Sequence, residues 1–169
     1  MNQKPSVLPM VICANVFIRK GGKYLLMKRS PDKKYAPNKI HPFGGKMDEN
    51  ENPYVGAVRE IREEVGIEIK NLKLEAVIYE QMPDKDLGAN WLVFYFSADY
   101  KSGDIIMSEE GEVVYLTGDE IKQSDLFPSV RTIIDNILDK NDGTVFTTNS
   151  YSGFESGMEE ISKDVCVVF

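Results

Sequence analysis

The segment Trp91–Phe96 constrains the fold of this chain more than any other, because all six of its residues are apolar. A strand that is apolar on both faces needs cover on both sides of its sheet. One helical pattern can supply cover from Pro53, just after the capping residue Asn52, to a closing Gly66, and a second begins near Pro128. The pattern predicts an α/β (α+β) chain with a mixed β-sheet between helices. The apolar stripes of the two helices are Ala57, Ile61 and Val65, and Val130, Ile133, Ile134, Ile137 and Leu138.

Further strands follow from apolar runs that end at turn residues. Gly21-Gly22 predicts a hairpin between the first two of them, and the tail is interpreted as a hairpin whose second strand is Asp164–Phe169. We expect one domain over residues 1–140, with residues 141–169 as a C-terminal extension packed on it as a β-hairpin. The predicted strands are Val11–Ile18, Lys23–Arg29, Leu72–Tyr79, Glu112–Thr117 and Val145–Thr148, with a short helix at Gly118–Ile121 and loops at Ser30–Lys39 and Pro42–Pro53.

The charge of the chain bears on its ligands. Its 169 residues carry a net charge of −7, and 42% of them are hydrophobic, which is typical of a globular protein. An acidic protein is poorly suited to hold nucleic acid by displacing the cations around its phosphates. The composition therefore predicts no nucleic-acid partner, and a polyphosphate ligand would have to be held through recruited cations.

The cysteine and histidine content indicates a reduced protein without a zinc site. Cys13 and Cys166 are read as free thiols, and His41 is the only histidine. The apolar run Val7–Ile18 contains Pro9 and Asn15 and has no small-residue cleavage site, so it is interpreted as a strand rather than a signal peptide. No apolar run reaches the ~18 residues of a membrane helix. We therefore expect a cytoplasmic protein without a membrane partner.

Three glutamates on the first helix carry the chemical signal. Glu60, Glu63 and Glu64 are spaced so that their carboxylates share one face, where like charges oppose helix formation. A solvated acidic face is the simplest explanation of three glutamates alone. Arg59 can pair with Glu63 but cannot neutralise all three. Such a cluster is well suited to a hard divalent cation that also binds substrate phosphates.

The segment before this helix strengthens the functional interpretation. Gly44-Gly45-Lys46 offers backbone that can approach a ligand closely and a cation for phosphate, without the Ser or Thr of a Walker loop. The 23 residues from Gly45 to Ile67 resemble the signature of the Nudix hydrolases at every fixed position. The matching residues are Gly45, Glu51, Arg59, Glu60, Ile61, Glu63, Glu64, Gly66 and Ile67. The order of elements from Val7 to Leu138 also resembles the α/β/α sandwich of that family.

The resemblance implies a hydrolase in which water attacks a phosphorus of a diphosphate bridge, with Mg²⁺ or Mn²⁺ as cofactor. By the family pattern Glu60 and Glu64 are the main metal ligands, the Gly44 carbonyl adds a ligand, and Glu51 binds metal through water or supports the loop. The physics agrees, since a bound metal polarises phosphoryl oxygens and lowers the pKa of a bound water.

The remaining catalytic roles follow from the same resemblance. Glu63 would orient or help to deprotonate the water, and Arg59 would hold the glutamates in place. Many family members add an acidic residue from a loop outside the signature. Glu110 is the first choice for that residue and Glu109 the second, with an acidic surface turn as the alternative.

The substrate is less constrained. Asn38–Lys46 and Asp125–Pro128 look like the segments around the base pocket of oxidised-purine nucleoside triphosphate hydrolases, although Ser129 and Val130 stand where those relatives read the purine. Phe127 could stack on a base or anchor the core, and His41 could touch the base or pack beside a proline. The candidate substrate-binding residues are Lys46, Arg29, His41 and Phe127, with a surface role as the alternative for Arg29.

We favour a nucleoside triphosphate pyrophosphatase acting on a small-molecule nucleoside polyphosphate. The alternatives are a pyrophosphatase for ADP-ribose or another nucleoside-diphosphate sugar, to which Pro83 gives weak support, and a non-catalytic nucleotide-sensing Nudix module. An isoprenoid diphosphate isomerase would need a reactive cysteine, and Cys13 is expected in a core strand. The sequence leaves the oligomeric state open between a monomer and a homodimer.

Overall fold

A mixed sheet of nine strands and three helices make up the described part of this computed structural model, which covers residues 9–84, 88–106, 109–139, 143–152 and 159–168. The strand order is β3-β2-β1-β6-β5-β8-β9, with β4 paired to β1 and β7 paired to β2. In chain order the elements are β1 (Met10–Lys20), β2 (Lys23–Arg29), β3 (Ile40–His41), β4 (Phe43–Lys46), α1 (Pro53–Val65), β5 (Glu68–Asp84), β6 (Ala89–Ser102), β7 (Gly111–Leu116), α2 (Gly118–Gln123), α3 (Pro128–Leu138), β8 (Thr144–Ser152) and β9 (Glu159–Val168).

The apolar strand β6 lies inside the sheet and is covered on both faces. Val93 and Tyr95 belong to the core on the α3 side, whereas Phe94 and Phe96 pack with the core on the α1 side. β6 runs parallel to β1 and antiparallel to β5, so the sheet is mixed. The predicted sandwich of a mixed sheet between helices is confirmed.

Helix α1 begins and ends where its sequence signals place it. The Asn52 side chain accepts hydrogen bonds from the N–H groups of Tyr54 and Val55 at 3.0 and 3.1 Å. Gly66 ends the helix in the left-handed region with φ of 74°. The predicted stripe of Ala57, Ile61 and Val65 is buried against the sheet. Glu60 and Glu64 flank this stripe on the side of α1 that meets β4.

The sequence prediction was wrong about the segment that leads to this helix. Residues 43–46 form β4 rather than a loop, because Gly44 and Gly45 pair with Asn15 and Ala14 of β1. β5 and β6 are also longer than predicted, since their pairing continues beyond the apolar runs. The predicted hairpin between β1 and β2 is present, with Gly21 and Gly22 at positive φ.

The tail joins the same sheet. β8 pairs in parallel with β5, and β9 pairs antiparallel with β8, with Val145 opposite Val167. Phe169 and the side chains of Cys166 and Pro83 lie outside the described residues. None of the described helices is both long enough and apolar enough to cross a membrane.

Candidate active site

Two glycines of β4 bring backbone and carboxylate into direct contact. A Cβ atom on Gly44 would lie 2.0 Å from the carbonyl oxygen of Ala14, and Gly44 has a φ of +143°. A Cβ on Gly45 would lie 2.7 Å from Oε1 of Glu60. Only glycine permits β4 to lie this close to β1 and to the face of α1.

Arg59 is the hub of the acidic face. Its guanidinium holds Glu51 through two hydrogen bonds of 2.5 and 3.1 Å, and it also donates to Glu60 at 3.0 Å and Glu63 at 2.9 Å. A further bond of 3.1 Å reaches the carbonyl of Lys46. The pKa of Arg59 is raised above its ordinary value, chiefly by the hydrogen bonds to Glu51. The predicted pairing of Arg59 with Glu63 is therefore present, and one arginine orients three carboxylates.

Glu64 is held by a backbone N–H group rather than by Arg59, and its pKa is raised. Its Oε2 accepts a hydrogen bond of 3.0 Å from the Gly44 N–H. Burial raises the pKa of Glu64 from 4.5 to about 7, and the charges of Glu60 and Glu110 add to the rise against the Gly44 hydrogen bond. Burial likewise raises the pKa of Glu60, although Arg59 opposes it. Glu60, Glu64 and Glu110 thus form a region of concentrated negative charge.

Glu110 comes to this region from the turn before β7, and its carboxylate forms an ion pair with Lys33. It also lines the cavity beside the glutamates, together with Gly44 and Lys46. Glu109 lines a neighbouring surface groove instead. The geometry thus favours Glu110 over Glu109 as the acidic residue outside the signature.

The residues fit a hard divalent cation by donor type and by charge. The candidate side-chain ligands offer only carboxylate oxygens, which Mg²⁺ prefers. Among the described residues, no three His, Cys, Asp or Glu side chains already converge as a ligand set. Because Arg59 holds Glu51, Glu60 and Glu63, an ion would bind only after some of these flexible side chains rotate.

A cavity of about 560 Å³ adjoins the acidic face, a volume suited to a small molecule. The four candidate substrate-binding residues all line it, and it also contains Gly44 and Gly45 of β4. Two of them pack against each other, since the rings of His41 and Phe127 meet edge to face with centroids 4.8 Å apart. The four residues are Arg29, His41, Lys46 and Phe127.

His41 and Arg29 have their polar atoms partly committed. Nδ1 of His41 lies 2.6 Å from the Pro42 carbonyl oxygen, which can only accept, so Nδ1 carries the proton. Burial, assisted by the charge of Arg29, lowers the pKa of His41 to about 3, and the neutral ring keeps Nε2 as an acceptor. Arg29 donates to the carbonyls of Tyr35 and Ala36, so it also fixes the loop that precedes β3.

Several residues of the cavity were missed by sequence reasoning. Asn15, Glu80, Trp91 and Tyr95 line it from the sheet, and Ser129 lines it from α3. Ser129 was read only as a missing purine contact, whereas its hydroxyl lies 2.8 Å from that of Tyr95. Glu80 continues the alternation of Ala76 and Ile78, and this signal could have placed its side chain on the inner face.

Cys13 also faces the cavity rather than the core alone. Burial, with a contribution from Glu80, raises the pKa of its thiol to about 12. The thiol is therefore protonated at neutral pH and is a poor nucleophile. A protonated thiol argues against the isoprenoid diphosphate isomerase alternative, which would need a reactive cysteine.

Comparison with known sequences gives a consistent result. The family model described as the NUDIX domain matches residues 9–137. The Nudix hydrolase YvcI of Bacillus subtilis is 32% identical over 111 residues, which are 64% of this chain and 70% of that protein. The NAD-capped RNA hydrolase NudC of Pseudomonas aeruginosa is 29% identical over 147 residues, which are 82% of this chain but only 45% of that protein.

Solved structures share the fold. The MutT protein from Bacillus halodurans superposes with a TM-score of 0.78 at 23% identity, covering 92% of this chain and 97% of that one. The MutT NUDIX hydrolase from Burkholderia pseudomallei gives a TM-score of 0.64 at 24% identity, covering 76% and 98%. The matched family model spans most of the chain, including α1 and the cavity, and so the chain belongs to the Nudix hydrolases, enzymes that hydrolyse pyrophosphate-containing substrates.

Proposed function

We propose that this enzyme is a metal-dependent nucleoside triphosphate pyrophosphatase that releases a nucleoside monophosphate and pyrophosphate. The observation that carries the proposal is the continuity of two surfaces at β4. Gly44, Lys46 and Glu110 line the cavity, while Gly44 and Gly45 also contact the glutamates of α1. A nucleoside in the cavity would thus present its phosphates to the acidic face.

The acidic face would hold Mg²⁺, with Mn²⁺ as a substitute. Glu60 and Glu64 are the proposed main ligands, and Gly44 through its carbonyl, Glu51 and Glu110 are the proposed further contributors. When bound, the ion would polarise phosphoryl oxygens, offset their charge and lower the pKa of a water. The burial of Glu60 and Glu64, and the repulsion of Glu64 by the charge of Glu60, support this assignment, because a bound cation would stabilise the ionised carboxylates against both effects.

The protein side chains would carry out the remaining steps. Glu63 is the most exposed of the three carboxylates that accept hydrogen bonds from Arg59, with 60% of its side chain accessible. It is proposed to orient the attacking water and to accept its proton. Arg59 positions Glu51, Glu60 and Glu63. Lys46, which lines the cavity next to Gly44 and Gly45, would pair with phosphate oxygens at the acidic face.

The other end of the substrate would lie among aromatic side chains. Phe127 and His41 form one wall of the cavity, and Arg29 reaches that wall with its guanidinium carbon 5.4 Å from the centre of the Phe127 ring. A planar base can stack on such a wall. We therefore place the base beside Phe127 and His41, with Arg29 at the phosphate side.

A hydrolysis screen with Mg²⁺ tests the proposal. The panel holds normal and oxidised nucleoside triphosphates, ADP-ribose, NAD and dinucleoside polyphosphates. We expect triphosphates to give a monophosphate and pyrophosphate, at a rate that Glu64→Gln lowers by at least about 10²-fold. Glu68→Gln is the matched control, because Glu68 follows the same helix but pairs with Arg62 outside the site.

The other outcomes are equally informative. Preferred cleavage of ADP-ribose or NAD would replace the proposal by the nucleoside-diphosphate alternative. Binding of nucleotides with no phosphate product at any metal concentration would point to a sensing module. Turnover that Glu64→Gln leaves intact would refute the assignment of the acidic face.

A further inference from the structure

Two neighbouring strands of the sheet contribute Glu80 and Trp91 to the cavity. The register places Glu80 of β5 opposite Trp91 of β6, and Trp91 in turn beside Val11 of β1. Directly paired residues share one face with Cβ atoms about 5 Å apart. Glu80 and Trp91 therefore lie side by side, and both line the cavity. A carboxyl group and an indole ring thus form one end of its floor.

Glu80 is buried as well as acidic. Only 3% of the residue is exposed, although it lines a cavity large enough for a base. On its other side it stands opposite Asn149 of β8, which is fully buried. This packing fixes the position of the carboxyl group. A carboxylate accepts at two oxygens with about four lone-pair sites, so it can accept from a ligand in addition to a protein donor.

A second acceptor lies in the same cavity. Because Nδ1 of His41 donates to the Pro42 carbonyl, Nε2 is the acceptor of this ring. The hydroxyl of Tyr95, by contrast, lies in hydrogen-bonding contact with Ser129. Glu80 and His41 thus add hydrogen-bond acceptors to the aromatic surfaces of the cavity. A base that presents several N–H donors matches this set.

The common bases differ in the donors on their Watson–Crick edge. Guanine presents N1–H and an N2 amino group side by side, which a carboxylate can accept together. Adenine and cytosine each place one amino donor beside a bare ring nitrogen, and that nitrogen would face a carboxylate oxygen. Uracil has one N–H between two carbonyls. Flipped bases are read in this way, by hydrogen bonds to this edge and by stacking.

We infer that Glu80 determines base specificity by accepting from N1–H and N2–H of a guanine-type base, which stacks in the cavity among Trp91, Phe127 and His41. The inference rests on the proposed function and deepens it by naming the base. It assigns a role to a residue outside the family signature.

Binding of monophosphates tests this inference without turnover. Trp91 is the only tryptophan of the chain, so its fluorescence reports occupancy of the cavity directly. The protein is titrated with GMP, AMP, CMP and UMP in the absence of metal. We expect GMP to bind at least about tenfold more tightly than AMP, as for one bidentate base contact.

Glu80→Gln is the decisive variant. A glutamine amide has one acceptor and one donor side, which fits the amino group and ring nitrogen of adenine but repels one of the guanine donors. We expect GMP affinity to fall about tenfold while AMP affinity is unchanged or rises. A general packing defect would weaken both nucleotides together.

Two further variants make the result interpretable. Glu75→Gln changes another buried carboxyl of β5, which is bonded to Ser97 outside the cavity, and we expect it to leave the base preference unchanged. Glu80→Asp keeps the carboxyl group but withdraws its oxygens by one methylene, and we expect it to weaken GMP binding without favouring AMP. If the glutamine variant fails to fold, the aspartate variant still tests the role of Glu80.

The results that would overturn the inference are distinct from those that would overturn the proposed function. Equal affinity of the wild-type protein for GMP and AMP, no binding of any monophosphate, or a uniform loss in the Glu80 variants would refute the role of Glu80. Hydrolysis of nucleoside triphosphates would stand in each of those cases. GMP selectivity without hydrolysis would instead support the base assignment and refute the catalytic one.

Discussion

Replacing Glu64 by glutamine should make the protein more stable and inactive at the same time. In the folded protein burial holds the pKa of Glu64 at about 7, against 4.5 for the free side chain. The folded state therefore binds more protons than the unfolded state between these two values, and folding stability falls as the pH rises through them. Above pH 7 the full penalty is present, and below pH 4.5 it is absent. Glutamine can still accept from the Gly44 N–H but does not ionise.

The size of the effect follows from the same pKa. A rise from 4.5 to about 7 corresponds to about 3 kcal/mol if it is fully expressed. Because the carboxyl is partly reachable by water, we expect a gain of about 1–2 kcal/mol at pH 8. At pH 4 the two proteins should have the same free energy of unfolding.

Urea unfolding followed by Trp91 fluorescence at pH 4, 6 and 8 measures this difference. Mg²⁺ should stabilise the wild-type protein more than the variant, because a ligand that binds only the folded state adds to its stability. Glu63→Gln is the control, since that side chain is 60% exposed and a change within about 0.5 kcal/mol is expected at every pH. A Glu64→Gln protein that is less stable at pH 8, or whose stability difference does not vary with pH, would refute the reasoning.

Other substitutions separate folding from catalysis. Gly45→Ala should lower kcat about tenfold or more with little loss of stability, because the new methyl group displaces only the Glu60 carboxylate. Gly44→Ala should instead lower the free energy of unfolding in urea by about 2–4 kcal/mol, because its new methyl group would lie 2.0 Å from a backbone oxygen. The His41→Gln variant should be less sensitive to acid, because the pKa of His41 is lowered to about 3 and wild-type stability therefore falls as the pH drops from 6.5 towards 3. We expect a loss on the order of 2 kcal/mol for a partly accessible ring, measured as the difference between the free energies of unfolding at pH 7.5 and 4.5. Arg59→Lys should lower kcat/KM about 10²-fold, with no rescue by higher Mg²⁺, because one ammonium group cannot replace a guanidinium that donates to three carboxylates. Full activity of this variant in steady-state kinetics would contradict the role of Arg59 as hub.

Local signals made α1 predictable. Asn52, Pro53 and Gly66 act on the backbone within a few residues, so the helix bounds follow from the chain alone. The spacing of the glutamates on this helix also fixes which of them share a face. For the same reason the pairing of Arg59 with Glu63, one turn apart, was predictable from the sequence.

The cavity was less predictable because its floor depends on strand pairing. Glu80, Trp91 and Asn15 are far apart in sequence and meet only through the register of β1, β6 and β5. Nothing local to any of these residues specifies its partner across the sheet. β4 was missed for a related reason, since a glycine pair typical of a loop is required here by close contact with β1.

The hub at Arg59 has a consequence for how the enzyme would respond to scarcity of the proposed metal cofactor. Since the Arg59 guanidinium already holds three carboxylates in place, we expect the fold to assemble without an external ion, unlike small zinc domains that unfold in chelators. EDTA should switch the catalyst off while leaving its circular dichroism spectrum intact. Returning Mg²⁺ should then restore turnover at once, without a refolding phase. The supply of free ions would set the working rate of each molecule, and the number of intact molecules would stay the same.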